Sequence, residues 1–269
     1  MSDKPKFLVW AHIRSMSNMF LRSFESRPGF GCLSSPILAA SMFGEERNFT
    51  LYKDSIIVPG FTYKDCIKSV EDFEQKEEHD YIFIKENYYA IHKAEYPKKD
   101  LIPKGYRHGF IYRNPNNALL SLQRMCVMDK RELNYELVEA TLNYEELYKL
   151  YHYVVDNHID KEPLVINSSF LAESPVEYFK AICKFWNLEY TDAMINMDPE
   201  KPTCLNQFPI SYLSGDSVWR KDAAKSKSWH KETQYDFVTR SKCISEDVLK
   251  FMDRQRMYYD KLNELAICK

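Results

Sequence analysis

The sequence is poor in glycine and carries no large excess of charge of either sign. Seven glycines occur among the 269 residues, and none stands in a Gly-x-x-x-x-Gly-Lys-Ser/Thr pattern, which excludes the usual phosphate loop of nucleoside triphosphatases. The formal net charge is −2, so the chain has no general attraction for nucleic acid or for an anionic membrane. Any anion site must therefore be local.

Paired cysteines and long apolar runs are also missing. The seven cysteines are scattered without a Cys-x-x-Cys spacing, which favours free thiols in a reducing compartment over a disulfide framework or a zinc site. No apolar run is long enough for a signal-peptide core or a membrane span. We therefore expect a cytoplasmic protein with no bound metal, no membrane insertion and no nucleic-acid partner.

The apolar content predicts one packed domain over residues 1–269. Hydrophobic residues make up 45% of the chain and aromatic residues 14%, enough for a substantial core at this length. Short apolar strands alternate with segments of helical spacing, which predicts an α/β fold: three layers, with a central, mainly parallel sheet flanked by helices. The predicted strands lie at 7–11, 81–85, 109–112 and 163–167.

Two stretches and one long helix complete the predicted organisation. Residues 28–78 and 198–228 lack a long periodic pattern, and we expect them to form loops around a substrate. Apolar positions recur at helical spacing from Glu136 to Val155, which predicts a single long amphipathic helix.

The first strand leads into a polar turn that suits an anion. The apolar run from Phe7 to Ala11 ends at His12, and helical spacing begins near Met16. A helix that starts here offers unpaired backbone N–H groups, which favour a phosphate. The turn also supplies a cation, two hydroxyls and an amide, from Arg14, Ser15, Ser17 and Asn18.

A second strand-to-helix turn repeats this design. The strand Gly109–Tyr112 runs into Arg113, and Pro115 is well placed near a helix start. Ser121 follows Arg113 by eight positions, so both side chains can reach one phosphate. Two such turns indicate a ligand with two phosphate groups.

The two turns resemble motifs of the sulfotransferases that use 3′-phosphoadenosine 5′-phosphosulfate (PAPS). Residues 13–19 look like that family's loop for the 5′-phosphosulfate, and residues 112–121 look like its 3′-phosphate motif. The likeness spans about residues 6–188 and implies a sulfotransferase fold similar to that of P-loop nucleotide-binding proteins. It also implies transfer of a sulfonate group to a hydroxyl or amine of a small apolar acceptor, with adenosine 3′,5′-bisphosphate (PAP) as product.

The resemblance assigns roles to individual residues. It implies that Arg113 and Ser121 bind the 3′-phosphate, and that Lys85 lies near the transferring sulfonate. Arg14 would also neutralise the leaving phosphate, so it is both a cofactor-binding and a catalytic candidate. The 5′-phosphosulfate would be bound by Arg14, Ser15, Met16, Ser17, Asn18 and Met19.

Three residues are candidates for the base that removes the acceptor's proton. Glu86 comes first, because a carboxylate partly desolvated at a strand end can have its pKa raised toward neutrality. His92 and His12 are the alternatives. The second hypothesis for the function is a non-catalytic nucleotide-binding protein of the same fold, and a P-loop kinase or hydrolase is less favoured.

Two departures from the family pattern stand in the first turn. Met16 occupies a position where many members have glycine, and Ile13 replaces the usual proline. The sequence leaves open the acceptor, the oligomeric state and the carboxyl-terminal basic residues that reach the 3′-phosphate. Candidates for the last role are Arg220, Lys221, Lys225 and Lys227.

Overall fold

The structure is a computed structural model that describes residues 4–49, 56–95, 97–206, 223–231 and 236–268. Within these ranges, five strands form one sheet in the order β2-β3-β1-β4-β5, and every neighbouring pair is parallel. The predicted α/β class with a parallel central sheet is confirmed. The strands are β1 Lys6–Ala11, β2 Phe30–Ser34, β3 Tyr81–Asn87, β4 Arg107–Tyr112 and β5 Leu164–Asn167.

Helices cover both faces of this sheet. No helix in the described ranges is long and apolar enough to cross a membrane. The helices are α1 Ser17–Glu25, α2 Leu38–Phe43, α3 Tyr63–Glu74, α4 Lys98–Leu101, α5 Pro115–Met128, α6 Tyr135–Thr141, α7 Tyr144–Asp156, α8 Ser168–Glu173, α9 Pro175–Phe185, α10 Phe237–Arg240 and α11 Glu246–Leu265.

Alternation along the strands creates two apolar cores. In β1, Phe7 and Val9 belong to one cluster, whereas Leu8 and Trp10 belong to the other, because successive strand side chains point to opposite faces. Helices α1, α8 and α9 pack on the first face. Helices α2, α3, α5, α6, α7 and α11 pack on the second.

Aromatic rings fix α1 on the first face. The ring centroids of Phe24 and Phe83 lie 4.3 Å apart, and those of Phe20 and Phe179 lie 5.6 Å apart. All four side chains are fully buried. Since α1 follows β1 after a short turn, this packing holds the amino-terminal end of α1 at the carboxyl edge of the sheet.

The structure corrects the prediction of an irregular region at 28–78. This stretch contains β2, α2 and α3, and α3 begins with a capping box in which Thr62 and Asp65 exchange hydrogen bonds. Strand β2 has five residues and α2 has six, too few to show a long periodic pattern. Helix α3 has 12 residues with buried Tyr63, Cys66 and Val70 at helical spacing, a signal that the prediction overlooked. Of the other stretch, 198–228, residues 207–222 lie outside the described ranges. The role of both stretches as substrate loops stays a prediction.

The single helix predicted over 136–155 is wrong. Helix α6 ends at Thr141 and α7 begins at Tyr144. Asn143 caps α7 by accepting a hydrogen bond from the Glu146 backbone N–H at 3.1 Å, since a short polar side chain favours a helix start over a helix interior. The apolar spacing continues through this break, which is why it suggests one helix.

We expect Phe24→Ala to lower the free energy of unfolding by about 3–5 kcal/mol, because it leaves a cavity between α1 and the sheet. Urea denaturation followed by circular dichroism measures the change. Met257→Ala, at an exposed position of α11, is the control and should change it by less than about 0.5 kcal/mol. Equal effects of the two substitutions would contradict the packing described for α1.

Candidate functional site

The candidate site lies where the winding of the sheet changes direction. Strands β1 and β4 are neighbours, yet α1 follows β1 on one face and α5 follows β4 on the other. Helices that diverge in this way leave a crevice at the carboxyl ends of the two strands, where open α/β sheets bind ligands. Both predicted phosphate turns border this crevice.

The turn after β1 has the backbone of an anion cradle. Arg14 and Met16 adopt positive φ angles of 61° and 62°, a geometry that turns successive N–H groups toward one point. Within the described part of the chain, no side chain caps the first turn of α1, and that turn contains no acidic residue. Its N–H groups and the positive end of the helix dipole are therefore available to an anion.

The turn after β4 is built differently. Asn114 caps α5, and its side-chain oxygen accepts hydrogen bonds from the N–H groups of Asn116 at 3.0 Å and Asn117 at 3.4 Å. These helix N–H groups are thus used within the protein. An anion at this second turn would therefore be bound by side chains, and Arg113 is the predicted ligand.

Residues of both turns line one pocket. A cavity of about 230 Å³ is lined by Arg14, by the segment 16–19, by Arg113, and by Ala223 and Ser226. Most of the residues predicted for the first phosphate therefore share one cavity with the arginine predicted for the second. Ser15 is buried beneath the turn, where its hydroxyl donates to the His12 carbonyl at 2.8 Å.

Direct contacts join the two turns into one unit. The Arg14 Nε–H donates to the Ser121 hydroxyl at 2.9 Å, and Arg113 Nη1 donates to the Arg14 carbonyl at 3.2 Å. Ser121 therefore contacts the arginine of the opposite turn. Two arginines therefore line one pocket in a chain whose formal net charge is −2.

His12 links the same two turns through both ring nitrogens. Its Nδ1 donates to the Ile13 carbonyl at 2.6 Å, and its Nε2 accepts the Arg113 backbone N–H at 3.0 Å. Burial lowers the pKa of His12 to about 3, with a further lowering by the Arg113 charge. A neutral ring with both nitrogens engaged is suited to holding the turns together, and its role as a base stays a prediction.

Lys85 lies at the carboxyl end of β3, beside β1 on the side opposite to β4. Its Nζ donates to the Ser35 hydroxyl at 3.0 Å, and Asn87 Nδ2 donates to the same oxygen at 3.0 Å. Lys85 and Asn87 follow Phe83 at alternate positions of the strand, so they share the face on which α1 packs. The lysine is buried and has a defined partner.

Glu86 points to the other face, because it alternates with Lys85 along β3. Its carboxylate accepts hydrogen bonds from the backbone N–H groups of Ile37 at 2.7 Å and Leu38 at 3.3 Å, at the start of α2. Burial raises the pKa of Glu86 to about 7, as expected for a candidate base. Its contacts are those of a helix cap, however, and its catalytic role stays a prediction.

His92 is placed outside the lining of the 230 Å³ pocket. Its Nδ1 lies 2.9 Å from Glu146 Oε2 on α7. This hydrogen bond is the main reason that the pKa of Glu146 falls to about 2. The structure thus anchors His92 to α7, and its assignment as the base also stays a prediction.

The segment that closes the pocket falls mostly within the stretch 198–228, which the sequence predicts as a substrate loop, but its contacts with α1 were not predicted. Residues 223–229 reach α1 through buried Arg22, whose guanidinium donates to the carbonyls of Ala224 and, at 2.7 Å, Asp198. The Trp229 indole N–H donates to the Ser23 hydroxyl at 2.8 Å. The available signal was an arginine, Arg22, directly after the apolar residues Met19, Phe20 and Leu21 of α1, since a buried arginine requires acceptors from elsewhere in the chain.

No protein-family model matches the chain, and no curated protein matches it. Among solved structures, it is similar to the sulfotransferase domain of the Synechococcus PCC 7002 olefin synthase, with 11% identity over 94% of this chain and 95% of that chain, at a TM-score of 0.47. It is also similar to a sulfotransferase from Alicyclobacillus acidocaldarius, with 15% identity over 82% and 95% of the two chains and a TM-score of 0.49. A third is mouse sulfotransferase SULT7A1 complexed with PAP, with 12% identity over 97% and 83% and a TM-score of 0.44.

We expect the positive φ of Met16 to reverse the usual helix preference. Met16→Gly should be more stable than Met16→Ala by about 1 kcal/mol, because a Cβ in the left-handed region is strained. At Met19, inside α1, glycine should instead be less stable than alanine by about 1 kcal/mol. Urea denaturation of the four variants measures both differences, and the same order at the two positions would contradict the geometry of the turn.

We expect His12 to make folding sensitive to acid. Its pKa is about 3 in the folded chain against an ordinary value of 6.5, so the unfolded chain binds the extra proton as the pH falls below 6.5. The free energy of unfolding then falls by up to about 1.4 kcal/mol per pH unit. The free energy of unfolding of the wild type should fall more steeply in this window than that of His12→Gln. Parallel pH profiles would contradict this account of His12.

Proposed function

We propose that the chain binds PAPS in the crevice between β1 and β4 and transfers its sulfonate group to a hydroxyl or amine of a small apolar acceptor. The observation that carries this proposal is the meeting of Arg14 and Arg113, from two separate turns, at one pocket beside the start of α1, which no side chain of the described residues caps. A ligand with two phosphate groups on one nucleoside matches two cationic turns better than a single triphosphate chain does. The motif resemblance at 13–19 and 112–121 supports the same ligand.

The first turn is the proposed site for the 5′-phosphosulfate. The N–H groups at the start of α1, with the hydroxyl of Ser17 and the amide of Asn18, would bind the phosphate oxygens. During transfer the acceptor atom forms a new bond to sulfur, and the bridging S–O bond breaks with its electron pair left on the phosphate oxygen. The acceptor's proton would pass to a base, for which Glu86, His92 and His12 are the candidates. Arg14 would offset the negative charge that develops on the leaving phosphate.

The second turn is the proposed site for the 3′-phosphate. Arg113 would supply charge-assisted hydrogen bonds from its guanidinium. The hydroxyl of Ser121 accepts from Arg14 and retains its own proton for donation to a phosphate oxygen. The Arg14–Ser121 contact would thereby couple the two phosphate positions.

The acceptor would lie on the other side of Lys85 from the donor. A second cavity, of about 200 Å³, opens at the carboxyl end of β2, and Leu33, Pro36 and Phe61 contribute apolar walls. Ser35 borders this cavity and accepts the hydrogen bond from Lys85. A small acceptor seated there would have Lys85 close to the sulfonate that it receives.

A second candidate function is nucleotide binding without transfer. The observation that favours it is the engagement of all three candidate bases in other contacts: His12 with the two turns, Glu86 with α2 and His92 with Glu146. A site that binds PAPS and lacks a base would release no PAP in the presence of acceptors. We propose a single cytoplasmic domain for either function.

PAP binding tests the site that both candidates require. Calorimetric titration should show that Arg113→Ala and Ser121→Ala each weaken PAP affinity, with the arginine variant losing about 10- to 150-fold, because a charge-assisted hydrogen bond contributes about 1.5–3 kcal/mol. Arg107→Ala is the matched control, since Arg107 lies at the opposite end of β4 and donates to the Phe185 carbonyl. Unchanged PAP affinity in both site variants would remove the second phosphate position.

A transfer assay then separates the two candidate functions. PAPS carrying ³⁵S is incubated with a panel of small phenols, alcohols and amines, and labelled product is measured. Transfer by the wild type, with a loss of at least about 10²-fold in Lys85→Ala, is expected for the enzyme. Tight PAP binding without transfer to any acceptor would favour the binding protein.

A further inference from the structure

We propose that Tyr144 and His12 are positioning residues that fix the backbone of Arg113, and through it the guanidinium that faces the 3′-phosphate. The inference rests on the proposed function and extends it to two residues that bind no part of the ligand themselves. Neither residue is close to Arg113 in sequence: His12 precedes it by 101 positions and Tyr144 follows it by 31.

Both backbone polar groups of Arg113 are bonded to side chains. Its N–H donates to His12 Nε2 at 3.0 Å, and its carbonyl accepts the Tyr144 hydroxyl at 2.7 Å. Strand β4 ends at Tyr112, so Arg113 lies just beyond the sheet ladder, and buried backbone groups require other partners there. The side chains of His12 and Tyr144 therefore supply the hydrogen bonds to the Arg113 backbone that neighbouring strands supply to the backbone of β4.

The two partners also support each other. Their rings pack with centroids 4.7 Å apart, and both side chains are fully buried. Burial raises the pKa of Tyr144 well above its ordinary value, which keeps its hydroxyl protonated as a donor. His12 is neutral for the same reason, which leaves Nε2 as an acceptor. Each hydrogen bond thus has a fixed direction at neutral pH.

The break between α6 and α7 places Tyr144 beside the backbone of Arg113. Tyr144 is the first residue of α7, and the Thr141 carbonyl at the end of α6 accepts the Ile13 backbone N–H at 3.2 Å. The junction therefore contacts both turns, one through Ile13 and the other through Arg113. A continuous helix over these residues would use the Thr141 carbonyl within its own backbone ladder.

A fixed backbone matters because arginine has a long, flexible side chain. Arg113 is also held near its tip, where Nη1 donates to the Arg14 carbonyl at 3.2 Å. An arginine side chain that is restrained both at its backbone and near its tip loses less conformational entropy when its guanidinium binds an anion. Loss of the Tyr144 bond should therefore weaken binding of the 3′-phosphate selectively and leave the 5′ position nearly unchanged.

The test compares PAP with adenosine 5′-monophosphate (AMP), which has the same nucleoside and 5′-phosphate but no 3′-phosphate. In Tyr144→Phe, calorimetric titration should show PAP affinity reduced by about 3- to 10-fold, the range for one lost hydrogen bond, and AMP affinity within about 2-fold of wild type. Tyr63→Phe is the matched control, because its buried hydroxyl likewise donates to a carbonyl, that of Ala90, at 2.8 Å. That variant should keep the wild-type ratio of PAP to AMP affinity.

A second pair of variants tests the same idea through His12. His12→Ala should also reduce the PAP-to-AMP ratio, and His12→Gln should restore much of it, because the amide oxygen can accept the Arg113 N–H. An unchanged PAP-to-AMP affinity ratio in both Tyr144→Phe and His12→Ala, whether the two affinities stay the same or fall equally, would overturn the positioning role. A wild type that binds PAP no better than AMP would instead contradict the proposed function on which this role rests.

Discussion

The hydrogen bond from the Arg113 backbone N–H to His12 Nε2 joins two turns that are distant in the chain and adjacent in the sheet. It requires a neutral histidine, which burial ensures, and it requires β1 and β4 to be neighbours. The contacts of Arg14 with Ser121 and with Arg113 depend on the spacing that this bond sets. The crevice has a defined shape because its two walls are tied at this point.

The anion cradle itself carries a conformational cost. Met16 occupies the left-handed region, which strains a residue with a side chain. Among the described residues no side chain caps the first turn of α1, and that turn contains no acidic residue to offset its dipole. The aromatic packing of Phe20 and Phe24 against the sheet holds the helix in place despite these features. A bound anion would complete the hydrogen bonds that the fold leaves open, which is why we place the 5′-phosphosulfate there.

The sequence was sufficient to predict four of the five described strands, the parallel sheet and the two turns, because the turns follow strands whose carboxyl ends meet at one edge. Strand β2, inside the stretch 28–78, was not predicted. The sequence did not show the break between Thr141 and Tyr144, since apolar spacing continues through it, nor that Glu86 caps α2, a helix of only six residues. Roles such as that of Tyr144 depend on which backbone groups lack a ladder partner in the folded chain. That information exists only once the strands are paired.

The central claim is that one crevice binds two phosphates of one nucleotide, and a crystal structure with PAP bound tests it most directly. We expect the 5′-phosphate to lie against the N–H groups at the start of α1 and the 3′-phosphate to lie within hydrogen-bond distance of Arg113 and Ser121. The hydrogen bonds of the Arg113 backbone to His12 and Tyr144 should persist in the complex. PAP bound elsewhere, or bound with its 3′-phosphate away from Arg113, would contradict the account.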